Sequence, residues 1–243
     1  MLTNLNLQKI LFLDIETVPL YESFDQAPEI EQHYFEEKTA YQLKEELTPE
    51  EFYDRAGIWA EFGKIICISV GYFTQNKNPR SFRLKSFYGE EISLLNEFKT
   101  LVSDYFNSKT HLLCGHNAKE FDFPYLSRRM LINGITPPKP LQLFNKKPWE
   151  VPHLDTLHLW KFGDYKHYTF LKLMAHVLGI PSPKGDIDGS QVAGVYYKEK
   201  DLPRIVRYCE RDVITVAQIL LKLRNEEQLK ENEITYASDC YIE

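Results

Sequence analysis

Two carboxylates, Asp14 and Glu16, are the residues of this sequence whose type and spacing first suggest chemistry. They follow an apolar run that begins at Ile10, and Pro19 comes shortly after them. A run of this length bounded by Pro is typical of a buried strand, on which alternate side chains point the same way. Two acids on one face of such a strand repel each other unless a cation compensates them. The pair therefore predicts a site for a hard divalent cation, and a solvated strand end is the alternative.

Two further acids stand where a folded chain can bring them to the same site. Asp122 opens a predicted helix after the apolar run 111–115, and a helix N-terminus favours negative charge. Asp212 lies four residues after Tyr208 in another predicted helix, so these two side chains share one face. Taken alone, Asp122 is equally well explained as a helix-terminal acid, and Tyr208 is better explained as a core aromatic.

The remaining sequence supplies the elements that must position these acids. Strand-forming runs predict a hairpin from 64–73 and 80–88 across a turn at 76–79, with further strands at 111–115 and 151–154. Apolar spacing and capping signals predict helices at 91–106, 121–131, 169–178 and 201–223. Residues 182–194 are expected to form a loop, and the polar tail from Asn225 is expected to extend the last helix or fray.

The acidic and aromatic segment 21–62 lies between the first two predicted strands. A capping box begins at Thr48, with Pro49 at the first helical position, so the segment predicts a helical insertion. The insertion is either a surface elaboration or a wall of the substrate cleft. The order of elements predicts a mixed α/β sandwich, in which ligands bind at the carboxyl ends of the strands. Asp14 and Glu16 lie at such an end.

Length, composition and charge exclude several classes of protein. The chain has 243 residues, 43% of them hydrophobic, which predicts one domain over residues 1–243. No apolar segment approaches the ~20 residues of a membrane span, and no signal peptide is recognisable, so we expect a cytoplasmic protein without a membrane partner. The net charge of −6 argues against bulk coating of nucleic acid. The four cysteines form no C-x-x-C pair, and Cys67, Cys114 and Cys209 are predicted to be small core residues.

Three motifs together resemble those of the DEDDy family of 3′-5′ exonucleases: Asp14-Ile15-Glu16, Asn117 with Phe121-Asp122, and Tyr208 with Asp212. The segments 115–126 and 208–212 are similar to the proofreading exonuclease domain of family B DNA polymerases. We expect the stand-alone type, because no polymerase domain follows the third motif in this sequence. The sister subfamily has His five residues before the last Asp, where this chain has Arg207.

The resemblance implies a ribonuclease H-like fold, with a mixed five-stranded sheet flanked by helices, and two cations, Mg²⁺ or Mn²⁺. By similarity, Asp14 bridges both ions, Glu16 and Asp212 hold the ion that binds the attacking water, and Asp122 serves the second. The physics agrees, because four converging carboxylates need neutralising and oxygen ligands favour hard ions over zinc. Tyr208, with an ordinary pKa near ~10, is a poor base and is expected to orient the water.

Candidate substrate-binding residues carry weaker signals. Asn117 and Phe121 match motif positions that help to place the terminal nucleotide in the family, although Phe121 is also explained as core. Thr17 is expected to contact the terminal sugar or to form a turn. Lys184 lies in a Gly-containing loop and is either a phosphate contact or a solvated lysine. Asp155 ends a predicted strand and is expected to play a supporting role.

Three functional hypotheses follow from the resemblance. The first is a metal-dependent 3′-5′ exonuclease that trims single-stranded DNA and releases nucleoside monophosphates. The second is an RNA 3′-end-trimming exonuclease, which recognition of the terminal 2′-hydroxyl would distinguish. The third is a catalytically silent nucleic-acid-binding module, against which the presence of all four acids and the Tyr counts. The implied partner is a nucleic acid with a free 3′ end, and recruitment by a replication or repair complex is left open.

Overall fold

A six-stranded mixed sheet runs through the computed structural model, which describes residues 2–43, 47–75, 80–164, 166–181 and 187–237. Its strands are β1 (Ile10–Pro19), β2 (Gly63–Gln75), β3 (Ser81–Tyr88), β4 (Leu112–Gly115), β5 (Leu154–Asp155) and β6 (Ile234–Tyr236). Their order across the sheet is β5-β4-β1-β2-β3-β6. The pairs β1/β2 and β2/β3 are antiparallel, and the other three pairs are parallel. The predicted turn at 76–79 lies outside the described residues.

The sheet has one strand more than the five that the sequence predicted. The tail after Asn225 was expected to extend or fray from the last helix, but it turns back and β6 pairs with β3. Asn225 adopts a left-handed φ of 57°, which is a common way for a helix to end. Glu233 then accepts a hydrogen bond from the Arg80 backbone N at 3.3 Å. A strand of three residues is too short to show the alternation by which strands are recognised.

Eight helices accompany the sheet in the described residues: α1 (Glu29–Thr39), α2 (Pro49–Phe52), α3 (Glu91–Tyr105), α4 (Asp122–Ile132), α5 (Thr156–Lys161), α6 (Leu171–Val177), α7 (Val192–Gly194) and α8 (Leu202–Leu223). Side chains of β1 alternate between two cores. Leu11, Leu13 and Ile15 pack with α3 and α4, whereas Ile10 and Phe12 pack with α8. This alternation also directs Asp14 and Glu16 to the side of α8. No helix in the described ranges is both long and apolar enough to cross a membrane.

Several predicted boundaries shift, and one loop is partly helical. The fifth strand is only Leu154–Asp155, because Pro152 has no backbone N–H for a ladder. The helix predicted at 169–178 begins later, at Leu171, and ends at Val177. Within the loop predicted at 182–194, residues 192–194 form α7, and a helical turn continues from Val195 to Glu199.

The insertion at 21–62 is helical, as predicted, and it is fixed to the sheet. Its carbonyl at Gly57 accepts hydrogen bonds from the Thr17 Oγ1 and from the Tyr125 hydroxyl, both at 2.8 Å. Arg129 Nη1 donates to the carbonyl of Ala60 at 2.9 Å. A Cβ at Gly57 would lie 3.0 Å from the backbone carbon of Val18, so only glycine permits this close approach. The insertion therefore has a defined position at the carboxyl end of β1.

Candidate active site

Four carboxylates of the sequence motifs converge at the carboxyl end of β1. Glu16 and Asp122 are buried, and Asp14 and Asp212 are partly buried. Asp14 and Glu16 come from β1, Asp122 from the first residue of α4, and Asp212 from the middle of α8. Strand alternation and the packing of α8 on β1 place Asp212 opposite the first pair, while the β4-to-α4 turn delivers Asp122.

The electrostatics show how closely these acids interact. Burial raises the pKa of Asp14 well above its ordinary value, and the charges of Asp122 and Asp212 raise it further. Burial likewise raises the pKa of Glu16, with added repulsion from Asp14 and Asp212. The pKa of Asp122 rises to about 7 and that of Asp212 to about 6, in both cases chiefly because burial penalises the charged form. The cluster carries more negative charge than its surroundings stabilise.

Tyr208 lies beside this cluster and is hydrogen-bonded to Asp212. Burial raises the pKa of its phenol far above 10, and the negative charges of Asp212, Glu16 and Asp14 add to the effect. The group is therefore a neutral phenol at physiological pH. It can donate or accept a hydrogen bond, but it does not supply an anionic base.

Lys172 on α6 is a cation at the site that the sequence analysis missed. Its Nζ lies 5.4 Å from the centroid of the Tyr208 ring and donates to the carbonyl of Ile187 at 3.1 Å. The Lys172 charge also lowers the pKa of Asp212, partly offsetting burial. The available signal was weak: Lys172 is the single lysine in the helix predicted between the second and third motifs.

Cys209 is a second residue that the sequence analysis assigned only to the core. Its Sγ lies 3.4 Å from the Asp14 Oδ2 and 3.4 Å from the Asp14 backbone O. Burial raises the pKa of this thiol, so it is protonated and donates a hydrogen bond. The helical position next to Tyr208 was the available signal, but the contact itself joins residues far apart in the chain.

The cleft next to Glu16 has a volume of about 520 Å³. Thr17 and Phe121, two of the predicted substrate-binding residues, line it. The insertion contributes Asp54, Arg55, Gly57 and Ile58 to the lining, so it forms a wall of this cleft rather than a separate surface elaboration. Thr17 lies within β1 and not in a turn, and its hydroxyl is already used by the carbonyl of Gly57.

Asn117 occupies a left-handed conformation, with φ of 61°, in the turn before Asp122. Its backbone N donates to Asp155 Oδ1 at 3.0 Å, and the N of Lys119 donates to Asp155 Oδ2 at 3.0 Å. Asp155 thus holds the turn, which is a supporting contact. The Asn117 Oδ1 is buried and has no hydrogen-bond partner in the described part of the chain. Lys184 lies outside the described residues.

The donor set fits a hard divalent cation. Asp14, Glu16 and Cys209 offer ligand atoms that lie within 4.8 Å of one another, and the carboxylates of Asp122 and Asp212 border them. Carboxylate oxygens are the donors that Mg²⁺ and Mn²⁺ prefer. Burial raises the pKa of all four acids, and a divalent cation bound there would stabilise their charged forms.

Comparison with known proteins identifies the family of this chain. A family model described as a predicted 3′-5′ exonuclease related to the exonuclease domain of PolB matches residues 58–238. The match includes Asn117, Asp122, Tyr208 and Asp212, whereas Asp14 and Glu16 precede it. No curated protein matches the sequence.

A family B DNA polymerase from the hyperthermophilic archaeon Pyrobaculum calidifontis has a similar structure, with a TM-score of 0.55 and 16% sequence identity. The likeness covers 88% of this chain and 24% of the polymerase, so the chain spans about a quarter of the polymerase's length. It confirms the ribonuclease H-like fold that the motifs implied. Because the family model matches well over half of the sequence, the chain belongs to the family of predicted 3′-5′ exonucleases related to the exonuclease domain of PolB.

Proposed function

We propose that this protein is a metal-dependent 3′-5′ exonuclease that hydrolyses the terminal phosphodiester bond of single-stranded DNA and releases nucleoside monophosphates. The observation that carries the proposal is the convergence of Asp14, Glu16, Asp122 and Asp212, with Tyr208 hydrogen-bonded to the last of them. Membership of the family supports the reaction class. We propose that the insertion belongs to the same single domain, because its contacts with Thr17 and Tyr125 complete the cleft.

The four carboxylates would hold two divalent cations, Mg²⁺ or Mn²⁺. When bound, such ions neutralise the acids, make a water nucleophilic at neutral pH and stabilise charge on the phosphate and the leaving oxygen. The Cys209 thiol donates to one oxygen of Asp14 and leaves the other oxygen free to act as a ligand. The chain thereby orients a carboxylate that would hold a cation.

Tyr208 orients the attacking water in this proposal. Its phenol stays neutral, so it holds the water by a hydrogen bond and does not remove the proton. Lys172 lies over the Tyr208 ring and supplies a positive charge beside it, which suits an incoming phosphate. The two residues would align water and phosphate for in-line attack.

Asn117 and Phe121 would place the terminal nucleotide. The buried Asn117 Oδ1 needs a donor, and a sugar hydroxyl or a base N–H of the substrate provides one. Phe121 and Ile58 line the cleft together and offer apolar surface to the base. Arg55 is exposed in the insertion wall, and Thr17, next to Glu16 in β1, lines the same cleft.

Digestion of a 5′-labelled single-stranded DNA with Mn²⁺ tests the proposal. The wild type is expected to shorten the strand in one-nucleotide steps from the 3′ end, and Asp14→Ala and Asp212→Asn are expected to be inactive. Asp104→Asn, an exposed acid on α3, is the matched control and should behave as wild type. An RNA of the same sequence separates the two substrate classes. An intact substrate with both Mg²⁺ and Mn²⁺, or equal activity of all four proteins, would refute the assignment.

A further inference from the structure

Positive charge is concentrated in one segment of this acidic protein. Residues 123–149 contain five basic side chains and neither Asp nor Glu, in a chain whose net charge is −6. One of the five, Arg129, is buried and paired with Glu91. The other four are exposed: Arg128, Lys139, Lys146 and Lys147. This segment therefore carries a local charge opposite in sign to the net charge of the whole protein.

A groove of about 340 Å³ lies within this segment, between the outer face of α4 and residues 141–151. The α4 side is formed by Pro124, Ser127, Arg128 and Leu131, which share one helical face and extend over about 10 Å. The apolar residues Leu141, Leu143 and Phe144 also line the groove. The charged residues that line it, within the part of the chain that the structure describes, are Lys119, Arg128 and Lys146.

Two aromatic side chains of this segment face solvent: Phe144 lines the groove, and Trp149 directly follows Pro148, which also lines it. Phe144 is 67% exposed and Trp149 is 76% exposed, although such residues are ordinarily buried. Lys147 lies between them in sequence, with its Nζ 5.3 Å from the centroid of the Trp149 ring. Exposed aromatic rings interleaved with lysines are the combination that proteins use to bind single-stranded nucleic acid, because bases stack on the rings while phosphates meet the cations.

Two residues that line the groove are close in sequence to an acid of the candidate active site. Lys119 and Pro124 flank Asp122 in the chain. The Lys119 Nζ donates to the carbonyl of Val151 at 3.0 Å, which ties the loop to the turn that carries the motif. The loop on the far side of the groove is therefore tied to the same turn that carries Asp122.

We propose that this groove binds the part of a single-stranded nucleic acid that precedes the 3′-terminal nucleotide. The inference rests on the proposed exonuclease function and deepens it, because it gives the substrate a second contact surface outside the cleft. An acidic peptide would match the charge, but it does not account for two exposed aromatic rings beside lysines as stacking does. The groove would hold the strand between successive cleavages and favour oligomers over dinucleotides.

Binding measured without hydrolysis tests this groove independently of catalysis. Fluorescence anisotropy in EDTA would compare a thymidine dinucleotide with an oligothymidylate of about a dozen residues. We expect Trp149→Ala to weaken binding of the long oligomer about tenfold, with Trp149→Phe close to wild type because it keeps a stacking ring. The double variant Lys146→Ala/Lys147→Ala should reduce the slope of log affinity against log salt by about 1.4. Tyr105→Ala and Lys109→Ala, an exposed aromatic and an exposed lysine elsewhere, are the matched controls.

The outcomes separate this inference from the proposed function. Unchanged affinity and salt slope in both groove variants would overturn the groove proposal and assign the surface to a protein partner instead. Melting temperatures of the variants, which involve only exposed side chains, should match that of the wild type. Hydrolysis of the p-nitrophenyl ester of thymidine 5′-monophosphate by the wild type tests the catalytic centre alone. If that ester stays intact with Mn²⁺, the exonuclease proposal fails, while the groove is still judged on binding.

Discussion

Replacing Asp212 by Asn is predicted to stabilise the metal-free protein while it abolishes hydrolysis. Burial raises the pKa of Asp212 from 3.8 to about 6, so keeping this carboxylate charged in the folded state costs free energy. At about 1.4 kcal/mol for each pKa unit, the penalty reaches about 3 kcal/mol at neutral pH. Asp212 keeps partial contact with solvent, which screens the charge, and we therefore expect a gain of about 2 kcal/mol from the neutral Asn.

The sign of this effect fixes its pH dependence. Below about pH 4 the carboxyl is protonated in both folded and unfolded chains, so it imposes no penalty. As the pH rises from about 4 to about 6 the unfolded chain releases the proton first, and the penalty grows to its full value. The metal-free wild type should therefore lose stability relative to Asp212→Asn across this window. Added Mn²⁺ should reverse the order, because the wild type keeps a ligand that the variant lacks.

Urea denaturation in EDTA at pH 5 and pH 8, repeated at pH 8 with Mn²⁺, measures these differences. Asp155→Asn is the matched control, because Asp155 is also buried but accepts hydrogen bonds from the backbone N–H groups of Asn117, Lys119 and Leu157. An amide at this position places its own N–H donors against those backbone N–H groups, so the free energy of unfolding of this variant should fall by about 1–3 kcal/mol. A free energy of unfolding for Asp212→Asn at or below that of the wild type, in EDTA at pH 8, would refute the reasoning.

Three further predictions concern contacts that the structure adds to the site. Lys172→Met should lower kcat on an oligonucleotide about tenfold or more with little change in KM. An unchanged kcat would show that Lys172 does not contact the phosphate during the reaction. Cys209→Ala removes a donor to Asp14 and should raise the Mn²⁺ concentration that gives half-maximal thermal stabilisation. Cys209→Ser keeps a donor and should give the wild-type concentration; equal concentrations for the Ala and Ser variants would contradict this. Thr17→Val and Tyr125→Phe should each lower the free energy of unfolding by about 1 kcal/mol. The double variant should lose more than the sum of the two, because the carbonyl of Gly57 then has neither donor; strictly additive losses in urea denaturation would count against this shared acceptor.

Local patterns in the sequence determined the parts of the site that depend on short-range geometry. The alternation of β1 placed Asp14 and Glu16 on one face, and the helical spacing of Tyr208 and Asp212 placed these on another. Such periods follow from the backbone of a strand or helix, so they can be predicted from neighbouring residues alone. The resemblance to known motifs then joined the three segments, and the family match and the structural likeness confirm the fold that it implied.

Tertiary structure decided the features that depend on contacts between distant segments. The residues around Lys172 in the sequence do not indicate that it lies over the Tyr208 ring. Those around Cys209 do not indicate that it donates a hydrogen bond to the carboxylate of Asp14. The insertion became a wall of the cleft because Thr17 and Tyr125, from two other elements, donate to one carbonyl within it. The third strand gained β6 as a partner only because the chain returned to it after Asn225. Packing selects such contacts among many that the same local patterns allow, and for this reason the sequence predicted the acids of the site but not their neighbours.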